Sequence, residues 1–120
     1  MDFTDKLDIL YARRSSEDGK DGESIENQVA LLKQYAADKG YYNIKVVTDD
    51  GYTGTNFNRP GFQEAFALIQ HRRVGRFIVK DLSRLGRNTI EVGQYIGVIF
   101  PRFGVEFISV HDGPESSDPD

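Results

Sequence analysis

The chain reads as an α/β domain, a mainly parallel four-stranded sheet with helices on both faces. Two observations predict it. Short apolar runs rich in β-branched residues alternate with longer segments of helical period, in the order βαβαβαβ, and such alternation gives parallel strands joined by right-handed crossovers. With 120 residues, 38% of them hydrophobic and including 8 Phe and 6 Tyr, the chain can bury one real core and is too short for two. We therefore expect a single domain spanning residues 1–120, with flexible termini at 1–7 and 113–120.

Residues 8–14 form the first predicted strand, the apolar centre of Ile9-Leu10-Tyr11-Ala12-Arg13-Arg14-Ser15-Ser16. Side chains alternate along a strand, so Tyr11, Arg13 and Ser15 share one side and Arg14 and Ser16 the other. The charged, glycine-rich stretch from Ser15 to Glu23 reads as an exposed, mobile loop. Ser24 then caps a helix running to Lys39, with Ile25, Val29, Leu32 and Ala36 on one face and Gly40 as its stop. Residues 44–48 make the second strand. A connection dense in turn formers follows, Asp49 to Gly61, and long ordered loops in small domains usually carry function.

A second helix starts at Pro60, spaces Phe62, Phe66 and Ile69 to bury one side, and ends near His71. Residues 76–80 are the third strand, residues 89–100 a third helix interrupted by Pro101, and residues 105–110 the fourth strand. There is no cysteine, so disulfides and thiolate metal sites are excluded. No signal peptide and no apolar run of spanning length occurs, which makes a cytoplasmic location the default, with no membrane partner. The net charge of −4 opposes strong DNA binding by the domain's own field, although six basic residues against one acid fall between His71 and Arg87.

In parallel sheets ligands bind at the carboxyl ends of the strands, where the crossover loops open. That edge would collect Arg13 and Ser15 from the first strand, Asp50 and the loop with Arg59 from the second, and Asp81, Ser83, Arg84 and Arg87 from the third. Arg84 and Arg87, three apart, would share one side of a helical turn. Four guanidiniums can grip a phosphate and stabilise the charge that grows on it under attack. Ser15 would be the nucleophile. Neither His71 nor His111 makes a recognisable triad with it, so acyl transfer is weakly supported and crowded cations favour phosphoryl transfer. No phosphate-loop or dinucleotide fingerprint occurs. A metal-dependent nuclease using Asp49, Asp50 and Asp81 stays as an alternative, as does a non-enzymatic interaction domain, although neighbouring arginines would repel a cation.

Three blocks carry a resemblance: Tyr11-Ala-Arg13-Arg-Ser15, the stretch from Asp50-Gly-Tyr-Thr-Gly54 to Asn-Arg59-Pro-Gly61, and Lys80-Asp-Leu-Ser83-Arg84-Leu-Gly-Arg87-Asn88. In that order they resemble the serine recombinases, above all the catalytic domains of the large transposon and phage enzymes. The resemblance implies a resolvase-like catalytic domain. Ser15 attacks a DNA phosphodiester, frees a 3′ hydroxyl and holds the 5′ phosphate as phosphoserine, without metal or other cofactor, for excision or integration of a mobile element. It assigns Arg13, Arg59, Arg84 and Arg87 to the phosphate, gives Gln28 and Asp50 catalytic places, and makes Tyr11, Lys80, Ser83 and Asn88 substrate-binding.

Two departures stand out. The smaller resolvases have an aspartate just before the arginine matching Arg84, where this chain has Ser83, so Asp81, two residues earlier on the same side if the strand persists, or an arginine would have to protonate the leaving group. The family also continues into a dimerisation helix and DNA-binding domains, which these residues lack. The resemblance thus implies dimers and a synaptic tetramer for the full-length protein, and a monomeric fragment with little or no activity. The loops at 16–23 and 51–58 are expected to order only on DNA.

Overall fold

The computed structural model describes residues 6–15 and 23–112. The elements follow the predicted order: β1 (Leu7–Arg14), α1 (Ile25–Lys39), β2 (Ile44–Asp50), α2 (Pro60–Gln70), β3 (Val74–Val79), α3 (Leu82–Leu85), α4 (Thr89–Gln94), a π-helical turn (Tyr95–Ile99), α5 (Phe100–Arg102) and β4 (Glu106–Ser109). The strands form one all-parallel sheet in the order β2-β1-β3-β4. β1 starts at Leu7, one residue earlier than the apolar run suggests, and β3 starts two residues earlier and ends at Val79. The loop at 16–22 and the stretches at 1–5 and 113–120 lie outside the described residues.

β1 is central and buried along nearly its whole length, as a strand covered on both faces must be. Alternation divides it between two cores. Ile9 and Tyr11, with Val47, Phe77, Val79 and Phe107, pack against Phe62, Ala65 and Ile69 of α2 and against Phe100. Leu10 and Ile78 face the other way onto Leu32 and Ala36 of α1. The first core is rich in aromatic rings: Phe62 meets Tyr11 edge-on with centroids 6.0 Å apart, and Phe77 stacks on Phe100 at 5.3 Å. Burying such rings is the main driving force available to a chain without disulfides.

Local chemistry sets the helix ends. The Ser24 side chain accepts from Asn27 N at 3.1 Å, and Gly40 closes α1 at φ 78°, a left-handed conformation natural to glycine. Gln28, on the same face as Leu32, is fully buried, whereas Ile25 and Val29 are half-buried. The N-terminus of α2 lacks a side-chain cap of its own and is capped from β2: the Asp49 carboxylate accepts from Gly61 N at 2.7 Å and Phe62 N at 2.9 Å.

Pro101 does not interrupt the last helix. The helical path runs from Thr89 to Arg102, and the π turn just before the proline re-registers it, with Phe100 N–H reaching back to Tyr95 O. That wider register brings Tyr95 and Phe100, five residues apart, into ring contact at 5.8 Å. Among the described residues no helix is long and apolar enough to cross a membrane.

Candidate active site at the carboxyl edge of the sheet

The carboxyl ends of β1, β2 and β3 meet as the topology requires. What gathers there is an interlocked set of buried arginines. Arg13 is fully buried, Arg59 is 1% exposed and Arg84 6%. Arg13 Nε donates to Arg84 O at 3.3 Å, and Arg84 Nη1 returns a bond to Arg13 O at 3.1 Å. Arg13 also donates from Nη1 to Tyr52 O at 2.8 Å and from Nη2 to Ser83 O at 2.6 Å. Three chain segments distant in sequence are thus sewn together by one guanidinium.

Arg59 does the same from the other side. Its Nε donates to Asn56 O, Nη2 to Leu85 O at 2.6 Å, and Nη1 to both Arg84 O and the Tyr11 hydroxyl. Its guanidinium carbon lies 4.7 Å from the Phe57 ring centre and 5.5 Å from that of Phe62, so aromatic faces favour the charge where water is excluded. Tyr11 passes the contact on by donating to Asp49 Oδ2 at 2.7 Å. Burial pushes the Tyr11 hydroxyl well above the ordinary tyrosine range; Arg59 pulls it down, and Asp49 adds to the rise.

Ser15 lies one residue beyond β1 and is buried. Gln28 fixes the strand end that delivers it: its Oε1 accepts from Arg13 N, and its Nε2 donates to Arg13 O at 3.0 Å and Glu23 O at 2.8 Å. Gln28 therefore acts on backbone from inside the fold. Asp50 ends β2, paired in register with Arg14, and is exposed. The carboxylate turned inward is its neighbour Asp49, which the motif match passed over although alternation with buried Val47 marks it.

The remaining predicted residues divide. Tyr11 sits in the core with its hydroxyl between Asp49 and Arg59, a place from which it orients Arg59. Ser83 gives its carbonyl to Arg13 and its hydroxyl to Asp81. Asn88 caps α4 by accepting from Ile90 N and Glu91 N, and Lys80 pairs with Glu23. Arg84 and Arg87 do not share a helical face, because α3 ends at Leu85: Arg84 turns inward and Arg87 is exposed. Nor does the strand persist to Asp81, which caps α3, accepting from Ser83 N at 3.0 Å with Arg84 Nε 3.8 Å away.

Hydrogen bonds to the neighbouring elements shape the loop at 51–58. Gly51 N donates to Arg14 O at 2.6 Å and Arg87 N to Gly54 O at 2.7 Å. A Cβ on Gly54 would lie 2.8 Å from Arg13 Nη2 and 3.1 Å from Arg87 Cγ, so any larger residue there must displace the Arg13 guanidinium from the carbonyls that hold it. Among the described residues no three His, Asp or Glu side chains gather closely enough to hold a metal ion. A cavity of about 610 Å³ opens at the opposite, amino edge, between Lys6, Asp8, Tyr41, Arg76 and Glu106, away from the serine and the buried arginines.

The fold has counterparts among known proteins. The family model described as Resolvase, N terminal domain, matches residues 9–120. The N-terminal catalytic domain of TP901-1 integrase superposes with a TM-score of 0.80, at 27% identity over 95% of this chain and 84% of that one. A resolvase family site-specific recombinase from Streptococcus pneumoniae gives 0.73, at 28% identity over 94% and 77%. The C-terminal catalytic domain of ISC1926 TnpA, an IS607-like serine recombinase, gives 0.71, at 32% identity over 87% and 67%.

Proposed function

This chain belongs to the resolvase family of serine recombinases and has their catalytic-domain fold, and we propose that it uses Ser15 to cut and rejoin DNA in site-specific recombination. Ser15 Oγ attacks the phosphorus of a phosphodiester. The new Oγ–P bond replaces the bond to the 3′ oxygen, the serine proton passes to a base, and the 3′ oxygen leaves as a hydroxyl after taking up a proton. The 5′ phosphate stays on the protein as a phosphoserine ester. Attack by a 3′ hydroxyl reverses the step, so the bond energy is kept for rejoining without metal or nucleotide.

One observation carries the reading: the mutual Arg13–Arg84 hydrogen bonds at the end of the strand that delivers Ser15. Carbonyl partners orient both guanidiniums, with the Asp81 carboxylate 3.8 Å from Arg84 Nε, so the phosphate meets cations already oriented, and little reorganisation is left for the transition state. Arg87, exposed beside Gly54, is the first of the set that an incoming phosphate reaches. Arg59, Gln28 and Tyr11 hold that framework from beneath. Lys80, Ser83, Asn88 and Asp50 form its rim toward the DNA.

The full-length protein acts through dimers that join into a synaptic tetramer in the cytoplasm. The 120-residue chain alone, with a net charge of −4, is monomeric, binds DNA weakly and recombines little. The decisive experiment traps the covalent protein–DNA adduct formed by the recombination-competent protein and maps it. We expect it on Ser15, and we expect Ser15→Ala to abolish adduct and cleavage with an unchanged urea midpoint. An adduct on Ser16, or cleavage that survives Ser15→Ala, refutes the assignment.

A further inference from the structure

Tyr52 has no part in the chemistry above, yet it is mounted on the site more firmly than any other exposed aromatic residue. Its carbonyl accepts from Arg13 Nη1 at 2.8 Å, the preceding Gly51 is bonded to Arg14 O, and Gly54, two residues on, is bonded to Arg87 N. Three hydrogen bonds thus tie the backbone of residues 51–54 to the Arg13 side chain and to the backbone of Arg14 and Arg87. Thr53 and Asn56 shape the same loop from within, Thr53 Oγ1 accepting from Thr55 N and Asn56 Oδ1 from Asn58 N. Tyr52 as a residue stays 40% exposed.

A ring held this way loses little freedom on contact, having only two side-chain torsions and a backbone already fixed. Its place beside Arg13 and Arg87 sets what it meets. If those arginines hold a DNA phosphate, the surface next to them is the deoxyribose or base of the adjoining nucleotide, and aromatic faces stack on such groups whatever the sequence. We propose that Tyr52 is a substrate-contact residue that packs its ring on the nucleotide flanking the attacked phosphate. The proposal rests on the reading of this edge as a DNA-phosphate site and adds a contact that the arginines cannot supply: one that grips the nucleotide and not its charge.

The chain has no tryptophan, so one introduced at position 52 reports on that position alone. Tyr42, 78% exposed at the amino edge, supplies the control. Tyr52→Trp and Tyr42→Trp are titrated with a mixed-sequence DNA duplex and with its single strand at low salt, and tryptophan emission is followed. We expect strong quenching at 52 and little at 42. Tyr52→Ala should weaken DNA binding about fivefold or more, and Tyr52→Phe should bind as the parent does.

Equal quenching at both positions, no response at 52, or unchanged affinity of Tyr52→Ala overturns the contact. The Ser15 adduct is scored in parallel. An adduct without a response at 52 removes only the Tyr52 contact; a response at 52 without an adduct removes the recombinase chemistry and leaves a DNA contact.

Discussion

The two ends of the sheet both hold arginines, and they treat the charge in opposite ways. At the amino end Arg76 lies in register between Asp8 on β1 and Glu106 on β4, with its guanidinium 3.2 Å from Asp8 and 3.5 Å from Glu106 and its carbon 3.9 Å from the Tyr41 ring centre. Carboxylates cancel its charge. At the carboxyl end Arg59 is more deeply buried, yet the oxygens it donates to are neutral, and the nearest carboxylate in the chain of contacts, Asp49, is one hydrogen bond removed through Tyr11. A carbonyl orients a guanidinium without neutralising it. The first arrangement closes a sheet; the second stores positive potential where an anionic substrate can use it.

The sharpest way to break this comparison is to remove Arg59. Arg59→Met strands Leu85 O and the Tyr11 hydroxyl, both at buried bonds, together with Asn56 O nearer the surface, and should cost about 3–5 kcal/mol in urea unfolding while abolishing adduct formation. Arg59→Lys should recover little of either, because an ammonium cannot span carbonyls that a planar fork bridges. Near-normal stability in Arg59→Met would mean that the carbonyl latches contribute nothing.

Gly54→Ala comes next. Its added methyl meets the Arg13 guanidinium, which cannot retreat because Tyr52 O, Ser83 O and Arg84 O hold it. We expect a loss of about 1–3 kcal/mol and a larger proportional fall in cleavage than in stability, measured as adduct yield under conditions where the variant is fully folded. Cleavage that falls only as far as the folded fraction would make Gly54 a packing residue and nothing more.

Tyr11→Phe separates orientation from charge. It deletes the hydroxyl between Arg59 and Asp49 and keeps the ring, so stability at neutral pH should fall by about 1 kcal/mol. Because the folded state holds this hydroxyl above its ordinary value, the stabilisation is complete below pH ~10 and is lost as pH rises beyond that toward the folded value. Alkaline unfolding should therefore be less steep in Tyr11→Phe than in the parent. Identical alkaline limbs would place the pH-sensitive group elsewhere.

The sequence was legible where period and chemistry agree. The order of elements, the Ser24 and Gly40 caps and the meeting of three strand ends all follow from alternation and from turn residues. It misled where one residue answers to two demands. The motif names Asp50 and says nothing of its neighbour Asp49, which turns inward and caps α2, a helix without a side-chain cap of its own. Arg84 and Arg87 stand three apart, yet a helix of one turn ends between them. Pro101 signals a break that the π turn absorbs. Above all, motif residues say which arginines gather and not what their nitrogens donate to. Whether a guanidinium is latched or open depends on carbonyls, and every residue carries one.

Arg76→Met is the smallest effect and the control that keeps the two edges distinct. Arg76 is about one-third exposed, and water screens its attraction to Glu106; Asp8, 8% exposed at the side chain, is the group left without its cation. The loss should be about 1 kcal/mol and should shrink as salt is added, since part of the pair's attraction passes through solvent. Adduct formation by the folded variant should match the parent, because the guanidinium lies at the far ends of the strands from Ser15. If Arg76→Met removed the adduct as completely as Arg59→Met, the charge that matters would be that of the whole sheet, and the contrast between cancelled and conserved charge would lose its functional meaning.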